Sequence, residues 1–434
     1  MKKNYLLVIT VGGSTEPVVF SILHWRPART LFIVSKETRQ IVNSSIIPEV
    51  QSGGWSDFDS GRTDLHEIPD AQNLNDIVNQ LRTLDNQIIA WLRDHQDAEV
   101  VADITGGTKA MSAALAIASR NWPCQICYVA GTERTKDGVG IVVSGKERIM
   151  CSQNPVDALG LLALDSALNL LQNHAFAAAK ALLCSTISRV ADVARKREIA
   201  AVSNLADALA DWDRFQHGSA LNKLKNLHRD THNLEAALGR LKAQEILAKI
   251  TKLESHLQSL CSENENSANL KPTRELVLDL IANARRRMDE QRWDDATARL
   301  YRAIEAEAQL WLAKNGINDT SKVPLDKIPE SIRKYFESYA VEGHVKLGLQ
   351  EAWIVIKHMD EKAAAPFFDA NLADMNKSPL TARNQSILAH GFAPASKANT
   401  QRLFDAALAI LDATEAELPV SPFDRQNTTA VPKQ

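Results

Sequence analysis

The stretch DITGGTKAMSAALA, Asp103 to Ala116, decides how the first third of this chain is read. It ends an apolar run, AEVVADIT (98–105), places two glycines and a Thr-Lys pair at the exit, and continues into small residues at helical spacing. A strand that enters a glycine turn and opens a helix is a layout for binding an anion. The first N–H groups of the helix lack intrahelical partners, and its dipole favours negative charge there. Neither common nucleotide motif fits, however. A P-loop needs a glycine five residues before a Gly-Lys pair, and here Lys109 follows Thr108; G-x-G-x-x-G does not occur.

Working outward, residues 1–150 alternate strand and helix. NYLLVIT (4–10), TLFIVS (30–35), LHEI (65–68), AEVVADIT and QICYVAG (125–131) read as strands, and GIVVSGKERIM closes the region as a hairpin. The stretch from Asn73 to His95 reads as one long amphipathic helix, with Leu74, Ile77, Leu81, Leu84, Ile88 and Leu92 on a single face. Apolar strands separated by helices predict an α/β, Rossmann-like domain with a mostly parallel, doubly wound sheet. Ligands of such sheets sit at the carboxyl ends of the strands, near the switch in strand order. Three segments would meet there. Gly12 and Gly13 allow a tight turn, followed by the hydroxyls of Ser14 and Thr15. Ser35 leaves the second strand ahead of Glu37 and Thr38. Gly106 and Gly107 bring backbone N–H groups to a ligand, Thr108 caps the helix, Lys109 adds a mobile positive charge, and Met111 offers a soft edge to a base. Thr105 lies beside them, and Asp103 reads as a brace for the turn.

Beyond residue 155 glycine and β-branched residues thin out, and Ala, Leu, Lys and Glu recur at helical spacing. The polar stretch CSENENSANLKP (261–272) reads as a linker, and the helices resume from 273 to about 416. The expected organisation is therefore an N-terminal α/β domain (1–152), a helical middle (155–265), a C-terminal helical bundle (270–416) and a disordered tail (417–434). Within the bundle, RNQSILAHGF places Arg383 and His390 seven residues apart, about 20° short of two full helical turns, so both project from one face. Asn384 and Ser386 are polar neighbours that would orient them. Histidine can move protons near neutral pH, and arginine can hold a phosphate through its planar fork. That pairing suits RNA cleavage without a metal.

The 434 residues are 45% hydrophobic and 24% charged, with a net charge of −3, so no global basic field recruits nucleic acid. Cys124, Cys127, Cys151, Cys184 and Cys261 are odd in number and scattered, which predicts a reducing, cytoplasmic setting without disulfides. Cys124 and Cys127 stand three apart on a strand and should face opposite sides of the sheet. The apolar run near the start is too short for a membrane span, and no membrane association is expected. His228 and His232 have a zinc-compatible spacing, but Arg229 stands where the metalloprotease motif needs Glu, so no metal is assigned. The run Arg285–Arg287 reads as a solvated helix face.

Two resemblances sharpen this reading. The Asp-x-Thr-Gly-Gly-Thr-Lys segment, Asp103–Lys109, resembles the hallmark of the CRISPR-associated Rossmann-fold (CARF) sensor domains. The Arg-x6-His segment, with its Arg-Asn and Ala-His-Gly flanks, resembles the motif of HEPN ribonucleases, and WDDATARLYRAIEAEAQLWL (293–312) looks like the first long helix of that bundle. Together they resemble the CARF–HEPN effector ribonucleases of type III CRISPR systems. The resemblance implies a homodimer that binds cyclic oligoadenylate across its two-fold axis, with no cofactor and no stable association with the CRISPR complex. Gly13, Ser14 and Thr15 would line one loop, and Thr105 to Lys109 would hold phosphates and riboses. Four adenylates are expected in preference to six. The Arg383–His390 pairs of two subunits would then cleave single-stranded RNA without metal, giving 2′,3′-cyclic phosphate and 5′-hydroxyl ends. The CARF domain would slowly degrade its own activator. The rival readings are a nucleotide-sensing regulator without nuclease activity, and a HEPN toxin directed at a defined RNA.

Overall fold

The computed structural model describes residues 4–133, 145–262, 272–374, 378–380 and 391–424. The chain divides into two compact units. The first comprises 1–162 with Arg189–Val193, and the second comprises Ala163–Ser188 with the rest of the chain from Ala194.

The first unit is built on a six-stranded sheet in the order β3-β2-β1-β4-β5-β6. Its strands are β1 (Asn4–Thr10), β2 (Arg29–Ser35), β3 (Thr63–Ile68), β4 (Ala98–Asp103), β5 (Cys124–Gly131) and β6 (Glu147–Gln153). Each strand pair is parallel except β5–β6. The apolar runs behave as expected of strands covered on both faces. Alternate residues Leu6 and Val8 join one core with Val100 and Ala102, while Leu7 and Ile9 join the opposite core with Val101. Chain order reverses between β1 and β4, which leaves a crevice at the carboxyl ends of those two strands. Helices α1 (Glu16–Trp25) and α2 (Ile47–Ser52) serve one face. The helices α3 (Leu74–Arg82), α4 (Asp85–Asp94) and α5 (Lys109–Ala118) serve the other.

Two expectations change here. The helix read as continuous over 73–95 breaks between α3 and α4. There the Thr83 hydroxyl donates to the Gln80 carbonyl, and Leu84 N–H bonds to the Leu81 carbonyl, three residues back. Apolar periodicity survives that break because a 3₁₀-type turn barely rotates the face. The cysteines do pair: Cys127 lies directly opposite Cys151 in the antiparallel β5–β6 ladder, and their sulfurs are bonded. Spacing along the chain could not show that register. Cys124 and Cys127 do face opposite sides, each in a different core. Of the expected hairpin GIVVSGKERIM, residues 140–144 lie outside the described residues.

Among its described residues the second unit is helical apart from a two-residue strand pair, β7 (Val323–Pro324) with β8 (His344–Val345). The helices used below are α6 (Leu161–Gln172), α7 (Phe176–Ile187), α8 (Val193–Asp213), α9 (His217–Leu227), α10 (Arg240–Ser262), α11 (Arg274–Asp289), α12 (Trp293–Lys314), α13 (Leu349–Met359) and α14 (Lys397–Ile410). One apolar core runs from Val277 on α11 to Leu418, with Leu300, Trp353, Phe367 and Phe404 at its centre. Leu418 and Phe423 are each 7% exposed and Ser421 is fully buried, so 418–424 is no disordered tail. Two apolar anchors seven positions or fewer apart, among prolines and a serine, were too sparse a signal to predict that packing. The arginine run is corrected as well. Arg286 and Arg287 are buried at 3% and 5%, because Asp213 from α8 accepts from both.

Candidate functional site

The loops after β1 and β4 meet at the crevice, and glycine is what lets them. A Cβ on Gly106 would stand 2.1 Å from the Thr10 carbonyl oxygen, and one on Gly12 would stand 2.8 Å from the Gly107 nitrogen. Gly107 itself adopts φ +78°, the left-handed region that other residues rarely enter. The Thr10 hydroxyl donates to the Gly106 carbonyl at 2.7 Å, and the Ser112 hydroxyl donates to the same oxygen at 3.0 Å. With its carbonyl held inward by both hydroxyls, the turn presents its other face to solvent.

Beneath it lies Asp103, fully buried. Its carboxylate accepts from the Ser21 hydroxyl at 2.5 Å, from Thr105 N–H at 2.8 Å and from the Thr105 hydroxyl. Burial pushes its pKa above the ordinary carboxylate value, and those hydrogen bonds only partly oppose the shift. Asp103 is thus the brace the sequence implied. The Thr105 oxygen also accepts from Val129 N–H at 2.8 Å, so its hydroxyl is committed on both sides.

Thr108 caps α5: its oxygen accepts from Met111 N–H at 3.1 Å while its hydroxyl donates to the Ala71 carbonyl at 2.5 Å. Lys109, the first residue of α5, is exposed beside that N-terminus. Gly13 and Ser14 are exposed, and the Thr15 hydroxyl reaches both carboxylate oxygens of Glu49, at 2.9 and 3.1 Å. Glu49, on α2, had no signal in the sequence, because its loop partner lies 34 positions away.

The remaining expected contributors are turned elsewhere. Ser35 N–H donates to the Thr38 hydroxyl oxygen at 2.9 Å, and the Ser35 hydroxyl donates to Glu37 at 2.6 Å, so both side chains close their own turn. Met111 is 1% exposed and packs with Ala114, Leu115 and Ala118 in the core, so it offers no edge to a base. The third residue of α5 points inward because the capped first turn aims it at the sheet.

In the second unit, Arg383, Asn384, Ser386 and His390 lie outside the described residues. The chain that follows them is described. Phe392 is 93% exposed, and Ala395 N–H donates to Asp294 Oδ1 at 3.0 Å, tying this segment to the start of α12. The Thr297 and Thr400 hydroxyls meet at 3.0 Å in the core, joining α12 to α14. His228 pairs with Glu254 at 3.0 Å. Trp353 is core, and Trp293 and Trp311 pack partly buried against it.

The glycine turn at the sheet's switch point is followed in the chain by a mostly helical unit. Residues 265–414 match the family model described as the Csm6 HEPN domain. The fold is that of Enterococcus italicus Csm6, solved bound to cyclic hexa-2′-fluoro-hexa-dAMP. The two are 12% identical over 98% of this chain and 97% of that one, with a TM-score of 0.50. Can2 from Sulfobacillus thermosulfidooxidans, in complex with cyclic tetra-adenylate, overlaps only in part. It is 13% identical over 52% of this chain and 67% of that one, with a TM-score of 0.23, too slight a likeness to bear on the fold. No curated protein matches the sequence. Among the described residues, no helix is long and apolar enough to cross a membrane.

Proposed function

We propose that the chain is a cyclic oligoadenylate-activated endoribonuclease acting as a homodimer. The observation that carries the reading is the close approach of the Gly12 and Gly107 backbones at the switch point of a sheet, in a chain whose residues 265–414 match the Csm6 HEPN domain. The two loops present exposed Gly13, Ser14 and Lys109 at a helix N-terminus, a surface for phosphates. A cyclic, two-fold ligand suits an isologous pair of such surfaces.

Arg383 and His390 would supply the phosphate clamp and the proton transfers, oriented by Asn384 and Ser386. Cleavage through the neighbouring 2′-hydroxyl leaves a 2′,3′-cyclic phosphate and a 5′-hydroxyl and needs no metal. Activation requires that the ring bind the cleaving arrangement more tightly than the resting one; moving a 1:99 equilibrium to 99:1 takes about 5.5 kcal/mol. One Gly-Gly-Thr-Lys turn per subunit suits two nucleotides each and favours four adenylates. The hexameric analogue in the Enterococcus italicus structure makes six the competing arm. Slow degradation of the ring would rest on Thr15 and Lys109, since both faces of the Thr105 hydroxyl are engaged.

The test is cleavage of a fluorescent RNA in EDTA with cyclic tetra-adenylate, cyclic hexa-adenylate or neither, beside His390→Ala. Cleavage that needs one ring and disappears in the variant is the expected result. A folded dimer that binds a ring and cuts nothing would leave the nucleotide-sensing regulator. Cleavage indifferent to both rings would point to a toxin acting on a defined RNA.

A further inference from the structure

The second unit holds a cavity of about 860 Å³ between the end of α6, one face of α10, α11 and the segment 415–424. It shares no residue with the glycine turn or the Arg383–His390 segment. Its floor is Arg286, whose Nε donates to Asp213 at 3.0 Å and whose guanidinium lies over the Trp212 ring, 3.8 Å from its centre. Stacking uses the flat face of a guanidinium and satisfies none of its N–H groups, which lie in the plane. Both terminal nitrogens of Arg286 are buried and have no hydrogen-bond partner among the described residues. An arginine buried to 3% exposure with two open donors is a costly arrangement unless something accepts from them.

Four cations, Lys249, Lys252, Arg285 and Arg286, and three carboxylates, Asp289, Glu415 and Asp424, line the cavity, a formal excess of one positive charge. Arg285 is met by Asp289 at 3.3 Å and Glu415 at 3.1 Å, one cation against two carboxylates. Lys249 pairs with Glu245 at 3.0 Å and donates to the Asp424 carbonyl at 3.0 Å. Asp213 is shared by Arg286 and Arg287, and Glu290 also meets Arg287 at 3.2 Å. The Asp424 carboxyl is pushed up by burial, against the pull of His174 and Arg286. Lys252 lines the cavity from the exposed side of α10. His174, 7% exposed and held at φ +59°, brings Nε2 to 3.4 Å from Asp289 and Nδ1 to 3.6 Å from Asp424, with no hydrogen bond to Nδ1 among the described residues. Ala282, Leu418 and Val420 supply apolar lining.

From this we infer a second ligand site, one that takes a small phosphate monoester. The phosphate would sit on Arg286 with Lys252 and His174 around it, and the organic part would lie against Leu418 and Val420. The volume falls within the ordinary range for small-molecule pockets, about 300–1,000 Å³, and the deep position of Arg286 favours a small molecule over a polymer. This inference stands apart from the proposed function.

The test is calorimetric titration of the full chain, carrying Lys109→Ala to silence the glycine turn, with inorganic phosphate, 5′-AMP, adenosine and a short RNA. We expect 5′-AMP to bind, phosphate to bind more weakly, and adenosine to bind at least tenfold more weakly than 5′-AMP. Lys252→Glu and Val420→Trp, both at exposed positions, should each weaken 5′-AMP at least tenfold while leaving the ligand-free melting temperature unchanged. Absence of 5′-AMP and phosphate binding at millimolar concentration would overturn the site. So would binding that both variants leave intact, or a short RNA that competes with 5′-AMP for the cavity.

Discussion

Two buried carboxylates hold up the two halves of this molecule, and they are held by opposite means. Asp103, under the glycine turn, is surrounded by neutral donors from Ser21 and Thr105, and burial raises its pKa. Asp279, on α11, is equally buried. It accepts from Trp212 Nε1 at 2.7 Å and faces His217 Nε2 at 2.8 Å, with the charge of Arg286 nearby. Burial again opposes ionisation there, yet His217 and Arg286 overcome it, and its pKa falls below the ordinary value. At Asp103 the neutral hydrogen bonds aim the carboxyl group without offsetting its burial, whereas at Asp279 a histidine and an arginine do offset it. The turn is therefore a geometric construction and the helical junction an electrostatic one.

That contrast can be broken most sharply at Asp213. Removing the carboxylate shared by Arg286 and Arg287 takes away the acceptor of Arg286 Nε and leaves Arg287 with Glu290 alone. Asp213→Ala should cost about 3–5 kcal/mol in urea unfolding of the helical unit. If the cost stays under about 1 kcal/mol, the junction is not held by charge. On the geometric side, Gly106→Ala forces a methyl onto the Thr10 carbonyl and should cost about 3 kcal/mol, with loss of ring binding, as seen in denaturation and titration. Thr108→Ala removes a cap and the bond to the Ala71 carbonyl. It should destabilise by about 1 kcal/mol and leave the second unit untouched.

The finest discrimination comes from pH. A carboxyl with a raised folded pKa contributes stability that is lost as pH rises from about 4 toward that value, so Asp103→Asn should flatten the profile there. Asp211 behaves the other way. Burial opposes its ionisation, but hydrogen bonds from Lys223, Ser219 and Arg214 hold its pKa down at about 2. Its contribution is present above about 4 and lost as pH falls toward 2. The difference between wild type and Asp211→Asn in urea midpoint should therefore shrink over that interval. Parallel profiles for both variants would erase the distinction between the two regions.

The same division explains what could be read beforehand. The turn was legible because its determinants are local: a strand run, two glycines, a cap and a lysine within a few positions. Five of the six strands, the parallel order and Asp103 as a brace follow from such signals. The roles of Ser35, Thr38 and Met111 were not legible, since a polar or soft side chain beside a loop does not reveal which way it turns. At the junction the partners are remote. Arg286 and Arg287 look solvated until Asp213, more than 70 positions away, is brought to them by the fold. Cys127 with Cys151 and the packing of 418–424 escaped for the same reason.

The bridge through Thr105 has a dynamic consequence. Its hydroxyl joins the end of β4 to the Val129 amide on β5 through Asp103, so the glycine turn has no hinge of its own on that side. Opening the turn must also free an amide of the neighbouring strand. The amides of Thr105 and Val129 should therefore exchange with deuterium together, at the rate of the sheet rather than of a surface loop. A ligand that grips the turn would then slow exchange well into β5, spreading protection to residues it never touches.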